Sequence, residues 1–383
     1  MAYLNNVLPK EKIPFVLLGS SILLGTLNIR YFYICNIACF LYMQRWPSKQ
    51  TIRTSLLILV LAMIFYLEES LSTNTGTLFN GLMLVVMSYV SYSIGAKFSS
   101  HNRTERSYFF LLLFIVVFVA LPHLYITIYD IWENGLLNPE RTLSIIDADH
   151  QRAVTQRTVE LSLALGSSAF FFFKTDDIIL KVYKIILILV SVLALLCTLH
   201  YVSRTGLVIF GVSLILGFIL QGRLSLQSIL IIVIVIMIFN EVSNTELFEI
   251  YGEREIAGSS ISDFGGRTNR WAWAWDYIFS NPLGGRKETY NYAHNFWLDF
   301  GKDGGLLAFL LLVMFSLYYL FNALKTKLLC IIPKSISYIS IVIAFSFFLA
   351  LFTEAVHEGC PIFMYCFFIV CGATNTIVKM YHN

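Results

Sequence analysis

Long apolar runs separated by short polar segments fill the chain between residues 13 and 378. A transmembrane helix needs about 20 mainly apolar residues, with roughly 17–25 observed. The pattern predicts spans at residues 13–29, 31–43, 55–68, 77–96, 108–129, 160–173, 181–202, 206–221, 227–240, 305–324, 336–353 and 361–378. We therefore expect an all-α fold, a polytopic transmembrane helix bundle of about 12 spans in which residues 1–383 form a single integral membrane domain.

Composition supports this fold class. Hydrophobic residues make up 57% of the chain and charged residues 13%, whereas about 25% of a soluble domain is charged. The net charge of +3 is too small to suggest nucleic acid as a partner. The seven cysteines show neither a CxxC pair nor metal-ligand spacing, so we expect no disulfide framework and no structural zinc. From the apolar composition we expect membrane lipids around the protein.

Basic residues separate the connections between the spans into two sets. When alternate connections are assigned to one side, beginning with residues 1–12, that side holds 16 Lys and Arg against 4 Asp and Glu. The other side holds 11 Lys and Arg against 20 Asp and Glu. Because cytoplasmic loops carry an excess of Lys and Arg, the first side is predicted to be cytoplasmic, with an even number of spans and both termini inside.

Two long connections fall on the predicted outer side, at residues 130–159 and 241–304. Connections of this length are more often folded and functional than simple spacers. Three groups of polar residues also lie on this side, although nothing in their separation requires them to meet. They are Ser203-Arg204-Thr205, the segment Gly265–Trp271, and His294-Asn295.

The arginines allow two interpretations. Arg204 is either an interfacial arginine that snorkels from a helix end or a ligand for phosphate, which a guanidinium binds in a bidentate manner. His200, four residues earlier, would lie on the same face of a helix. Arg267 and Arg270 are spaced i, i+3 and would share one side of a helix. That helix is a surface helix anchored by tryptophans, a cationic patch for an anionic headgroup, or both.

His294 is the candidate general base. Its unperturbed pKa near 6.5 lets an imidazole accept a proton near neutral pH, although a loop histidine is often purely structural. Asp299, five residues later, can orient the imidazole only if the intervening backbone is irregular. Asn295 is an alternative hydrogen-bonding residue for a substrate.

Taken in order, these motifs resemble the superfamily of O-antigen polymerases and O-antigen ligases. The resemblance covers roughly residues 200–320. The histidine motif is more similar to the polymerases, whereas the run from Gly301 to Gly305 departs from the usual spacing. The matching motifs are Ser203-Arg204, Gly266-Arg267 with Trp271, Asn281-Pro282-Leu283-Gly284, His294-Asn295-Phe296-Trp297-Leu298-Asp299, and Gly304-Gly305 at the start of a span.

The resemblance implies a metal-independent glycosyltransferase without a cofactor, in the bacterial inner membrane and with a periplasmic active site. Its substrate would be an oligosaccharide linked to undecaprenyl diphosphate, and a separate protein would regulate chain length. The family's essential arginines match Arg204 and Arg267, and its essential histidine matches His294. Arg270, Asn295 and Asp299 are then candidate substrate-binding residues. Arg141, Arg152 and Arg157 either clamp the acceptor glycan or cap the site.

Three other functions remain as alternatives. A ligase that transfers finished polymer to lipid A-core would share the site and differ only in its acceptor. A secondary transporter would need ionisable residues or broken helices near the bilayer midplane, whereas the notable charges here are predicted at the outer rim. A scaffold protein would need none of these residues for chemistry.

Overall fold

The structure, a computed structural model, describes residues 12–27, 31–43, 77–101, 104–135, 142–144, 151–201, 203–222, 267–284, 293–329, 331–354 and 360–382. Within these ranges the regular secondary structure is helical apart from one small ribbon of two strands. The helices are α1 (Lys12–Thr26), α2 (Phe32–Met43), α3 (Thr77–His101), α4 (Glu105–Asn134), α5 (Val154–Gly166), α6 (Ile178–His200), α7 (Arg204–Gln221), α8 (Arg267–Ser280), α9 (Phe296–Leu328), α10 (Lys334–Thr353) and α11 (Pro361–His382).

Six of the described helices are long and apolar enough to cross a membrane: α4, α6, α7, α9, α10 and α11. This confirms the helical class and fits an integral membrane protein, but it does not confirm the predicted count of about 12 spans. The predicted spans at 55–68 and 227–240 lie outside the described residues, as does most of the predicted loop at 241–304.

Two predicted spans differ from the helices found. The span at 160–173 is wrong as one continuous α-helix, because α5 ends at Gly166 and a 3-10 turn over Ser167–Phe171 follows. The span at 305–324 is part of a longer helix, α9, that begins at Phe296 and is broken at Gly305, where φ is 79° and ψ is 176°. Glycine adopts this conformation without a steric penalty, so it ends one helical segment and starts the next.

The predicted loop at 130–159 contains regular structure. Helix α4 extends to Asn134, and strands β1 (Thr142–Ser144) and β2 (Gln151–Ala153) pair antiparallel, with Thr142 opposite Ala153. Helix α5 starts directly after β2.

The packing of α10 against α7 places the N-terminus of α7 beside the C-terminus of α10. The Tyr338 hydroxyl, near the start of α10, donates to the carbonyl oxygen of Ala169 at 2.5 Å and lies 3.5 Å from that of Gly217, near the end of α7. Further along α10, Ser346 lies against Gly166, which is also near Ser213 of α7. The two helices therefore run antiparallel. We call the end of the bundle that carries the first residue of α7 and the last of α10 the site end.

Candidate functional site at one end of the bundle

His294 lies in the short segment that leads into α9, and its backbone is left-handed, with a φ of 52°. Among the residues described, it is the only one other than glycine with a positive φ. This conformation is uncommon for residues with a side chain and is enriched at functional sites. Surrounding contacts must therefore hold the segment in place.

Asp299 supplies two of those contacts. Its Oδ1 accepts a hydrogen bond from the N–H of Ala293 at 2.8 Å, and its Oδ2 accepts one from the N–H of Asn295 at 3.2 Å. The carboxylate is buried one turn inside α9. The irregular backbone that the sequence required is present, and Asp299 orients His294 through the backbone on both sides of it.

Asn295 is the N-cap residue of α9. Its side-chain oxygen accepts from the N–H of Leu298 at 3.2 Å, and its amide nitrogen donates to the carbonyl oxygen of Phe352 at 3.2 Å. An N-cap side chain satisfies a backbone donor that the helix itself leaves without a partner. In this conformation Asn295 ties the start of α9 to the end of α10, and a role for Asn295 or Asp299 in substrate binding stays a prediction.

Glu354 follows the last residue of α10 and brings two of the predicted residues together. Its Oε1 accepts a hydrogen bond from Nη2 of Arg267 at 3.0 Å. Its Oε2 lies 3.7 Å from Nδ1 of His294. Arg267 and His294 are 27 positions apart in the sequence, and one carboxylate joins them.

Exposure divides this triad into a buried carboxylate and two accessible groups. The Glu354 side chain is 2% exposed, whereas the side chains of Arg267 and His294 are 18% and 20% exposed. A guanidinium has five N–H donors, so Arg267 can bind Glu354 and still present donors to an anion. The imidazole, through the nitrogen that faces away from Glu354, can accept a proton.

Helix α8 carries Arg267 at its first position and Arg270 one turn later. Arg270 is exposed, so the two arginines share the helix but differ in their surroundings. Trp271 fixes the helix to the histidine segment, because its Nε1 donates to the carbonyl oxygen of Ala293 at 2.9 Å and its ring packs on Phe352 at 5.1 Å between centroids. Gly265 and Gly266 lie outside the described residues.

Arg204 is the first residue of α7 and lies half-buried at the site end. The N-cap residue before it, Ser203, accepts from the N–H of Gly206 at 3.3 Å and shares a hydrogen bond with the hydroxyl of Thr158 at 2.8 Å. The start of α7 is thus attached to α5. His200 belongs to α6, not to α7, so the prediction that it shares a helical face with Arg204 is wrong.

A buried polar cluster lies beside this turn and contains Arg157, which is only 1% exposed. The guanidinium donates to the hydroxyl of Tyr201 and lies over its ring, 4.9 Å from the centroid. The Tyr201 hydroxyl also shares a hydrogen bond with the hydroxyl of Thr127, at 2.6 Å. Burial lowers the pKa of Arg157, opposed mainly by Tyr201 and also by nearby Glu160 and Asp130. Arg157 is therefore part of the core, where it does not present a free clamp to a glycan.

Two histidine–carboxylate pairs complete this cluster. His200 and Asp130 are 2.6 Å apart, and His123 pairs with Glu160 where both side chains are fully buried. Ionisable residues inside a bundle are costly and usually functional or structurally essential. Neither His123 nor Glu160 belongs to a sequence motif, although each stands inside or at the edge of a predicted apolar span.

The break in α9 is held by the Asn281-Pro282-Leu283-Gly284 segment. The carbonyl oxygen of Pro282 accepts from the N–H of Leu306 at 2.9 Å. A Cβ atom on Gly284, whose φ is 76°, would lie 2.6 Å from both the carbonyl oxygen of Asp303 and the nitrogen of Gly305. Two glycine motifs that are separate in the sequence therefore pack directly against each other.

The structure brings together Arg267, His294, Asn295 and Asp299 around the junction of α8, α9 and α10, and it places Arg204 at the same end of the bundle. Glu354 is the residue that sequence reasoning missed. It follows an apolar run on the predicted acidic side, so only its contacts distinguish it from other acidic loop residues. Among the described residues, no three His, Cys, Asp or Glu side chains gather in an arrangement that could hold a metal ion.

Comparison with known proteins adds no relative to this picture. No protein-family model matches the chain, and no curated protein matches it significantly.

Proposed function

We propose that the protein is a glycosyltransferase that polymerises lipid-linked O-antigen repeat units. In this reaction a glycan is transferred from undecaprenyl diphosphate to a sugar hydroxyl of an acceptor unit. The observation that carries the proposal is the convergence of Arg267 and His294 on the buried carboxylate of Glu354. It supports the resemblance because two of the motifs that define the resemblance, those of Arg267 and His294, meet in space.

The chemistry requires a base and a cationic site. His294 takes the proton from the acceptor hydroxyl, whose oxygen forms the new bond to the anomeric carbon. The bond between that carbon and the diphosphate oxygen breaks, and undecaprenyl diphosphate leaves with the electron pair. Arg267 and Arg204 stabilise the negative charge on the leaving group, as preorganised donors do in other enzymes. A single displacement of this kind inverts the anomeric centre.

The location of the site suits a lipid substrate. Trp271, Trp273 and Trp275 lie on α8, and Trp275 and Phe279 are exposed, as expected of aromatic residues at a membrane interface. The end of the bundle opposite the site end carries many lysines and arginines, which favours the cytoplasm for that end and the periplasm for the site. Described basic residues there include Arg106, Lys174, Lys181, Lys184, Lys325, Lys327 and Lys334.

A ligase that transfers polymer to lipid A-core is the nearest alternative, because it would use the same residues with a different acceptor. A proton-coupled secondary transporter is a further candidate, favoured by the buried His123–Glu160 pair and by the broken helix α9. A transporter would not join two lipid-linked units, so product analysis separates the candidates.

Complementation tests the proposal. The chain is expressed in a strain that lacks its own polymerase but makes the matching repeat unit, and lipopolysaccharide is resolved on a gel. A ladder of increasing length is expected. A single-repeat band from a chain that is present in the membrane at normal amounts contradicts the polymerase, and restored transfer of preformed polymer in a ligase-deficient strain supports the ligase.

A further inference from the structure

We propose that Glu354 is a positioning residue that serves both halves of the reaction. One carboxylate oxygen holds Arg267 in place for the donor diphosphate. The other holds the imidazole of His294 with its Nδ1–H towards the carboxylate, which leaves Nε2 to take the proton from the acceptor hydroxyl. This inference rests on the proposed glycosyl transfer and adds to it a residue that none of the sequence motifs contains.

The geometry assigns one carboxylate oxygen to each partner. Oε1 is 3.0 Å from Arg267 and Oε2 is 3.7 Å from His294. The second distance is longer than a hydrogen bond, and this role requires it to shorten when the imidazole takes up the proton. A carboxylate behind an imidazole sets its tautomer and stabilises the imidazolium that forms during proton transfer.

The position of Glu354 is unfavourable for a residue that only packs. It follows the C-terminus of α10, where the helix dipole opposes a negative charge, and it is almost completely buried. A buried charge is stabilised only by close partners, and here the cation is Arg267, 3.0 Å away. The backbone of His294 is in turn held in its left-handed conformation by Asp299. Helix α8 and the segment before α9 therefore converge on the two oxygen atoms at the end of α10.

This arrangement predicts opposite effects on donor binding and on turnover. Glu354→Gln keeps a side-chain oxygen that can accept from Arg267 and hold it in place, but it removes the negative charge that competes with diphosphate for the guanidinium. Donor binding should therefore stay unchanged or tighten. The same change removes the group that orients His294, so turnover should fall. General disruption of the site would instead weaken donor binding and turnover together.

The experiment uses the full chain, purified and reconstituted in liposomes. Binding of undecaprenyl diphosphate and the kcat and KM for lipid-linked repeat units are measured for the wild type, Glu354→Gln and Arg267→Ala. For Glu354→Gln we expect kcat to fall about 10²-fold or more, within the range that general-base catalysis contributes, with donor KM and diphosphate affinity no weaker than in the wild type. Glu133→Gln is the matched control, because Glu133 is an exposed glutamate near the end of α4, and it should leave kcat unchanged.

A second variant distinguishes loss of the Glu354 carboxylate from misfolding. Glu354→Ala leaves a space of about the size of a small carboxylate, and added formate should restore part of its kcat, whereas added formamide should not. A Glu354→Gln variant with kcat within threefold of the wild type, or with donor affinity lost in step with kcat, would overturn the positioning role while leaving the glycosyltransferase intact. A wild-type protein that neither binds undecaprenyl diphosphate nor joins repeat units would overturn the proposed function itself.

Discussion

Asp299 holds His294 by the backbone on both sides: its two carboxylate oxygens accept the N–H groups of Ala293 and Asn295, the residues immediately before and after the histidine. The imidazole of His294 would act in catalysis, and the backbone that carries it is thus held in place by the Asp299 carboxylate. Because the same carboxylate lies one turn inside α9, the position of His294 depends on the start of that helix.

Replacing Asp299 should therefore abolish polymer formation without touching the imidazole. Asp299→Ala leaves two buried N–H groups without their acceptor, at a cost of about 1–3 kcal/mol for each group. Asp299→Asn keeps a single acceptor oxygen and should be intermediate in thermal stability. Thermal unfolding in detergent and the lipopolysaccharide ladder measure the two effects. A normal ladder from Asp299→Ala would show that the left-handed segment does not need this carboxylate.

If Arg204 and Arg267 bind the diphosphate, even their conservative replacement by lysine should abolish long-chain polymer. Arg204→Lys and Arg267→Lys should lose long-chain polymer, as should Arg204→Ala, Arg267→Ala and His294→Ala, because a lysine cannot present two parallel donors to a phosphate. All five variants should remain in the membrane at normal amounts. The exposed Arg270 provides the comparison on the same helix, and we expect Arg270→Ala to have the smaller effect. Normal ladders in the Arg204, Arg267 and His294 variants would reject the assignment.

Hydrophobic periodicity predicts helices well in this chain but cannot reveal how they meet. The helical class follows from apolar runs alone, and α6, α7 and α10 lie close to their predicted positions. The sequence predicts that a span starts at Gly305, but it assigns the helical stretch from Phe296 to Gly304 to the preceding loop, because that stretch is short and contains charged residues. Lys302 and Asp303 are in fact helical and buried. The Lys302 Nζ lies 3.6 Å from Oδ1 of Asp303, so the two charges are buried as a pair.

The candidate site, too, could be predicted only in part from the sequence. Residue type and motif order identified His294, Arg204 and Arg267, because few side chains suit proton transfer and anion binding. They could not identify Glu354, since a glutamate at the end of an apolar run has no local signature. Nor could they predict that the Asp299 carboxylate accepts hydrogen bonds from the backbone, because those contacts depend on the left-handed conformation of His294, which the sequence does not specify.

Stability at the opposite end of the bundle should depend on pH through Asp177. This residue caps α6 by accepting from the N–H groups of Ile179 and Leu180, and it binds Arg106 at 2.7 Å. Burial alone would raise the pKa of the Asp177 carboxyl, but the hydrogen bonds from Arg106, Leu180 and Ile179 outweigh it and hold the pKa below its ordinary 3.8. The charged form is thus favoured by folding.

A carboxyl with a lowered pKa contributes stability that is present above the unfolded-state pKa and is lost as pH falls through the folded-state value. Asp177→Asn should therefore lower the thermal unfolding temperature at pH 7, and its difference from the wild type should shrink once the pH falls below about 3.8, where aspartate takes up protons. Asp176→Asn is the control, because Asp176 is an exposed neighbour. If the unfolding temperatures of Asp177→Asn and the wild type differ by the same amount at pH 7 and below about pH 3.8, the ion pair with Arg106 is contradicted.

The contact between α3 and α11 should tolerate no side chain larger than hydrogen at two positions. A Cβ atom on Gly95 would overlap the carbonyl oxygen of Ile369, and one on Gly372 would overlap that of Tyr92. Small residues at such crossings let helix backbones approach closely, and this approach stabilises membrane helices. Gly95→Leu and Gly372→Leu should force the helices apart and lower both thermal stability and the amount of folded protein.

Gly211 in α7 is the matched control, because a Cβ atom there meets no atom of the described residues within 4 Å. Gly211→Ala should be neutral or stabilising, by up to about 1 kcal/mol, since alanine favours a helix over glycine by that amount. Gly95→Ala and Gly372→Ala should destabilise despite the same gain in helix propensity, because the overlap is with backbone, which cannot rotate away. Unfolding temperatures in detergent measure all of these variants, and equal effects of alanine at positions 95, 372 and 211 would show that the two helices are not in backbone contact.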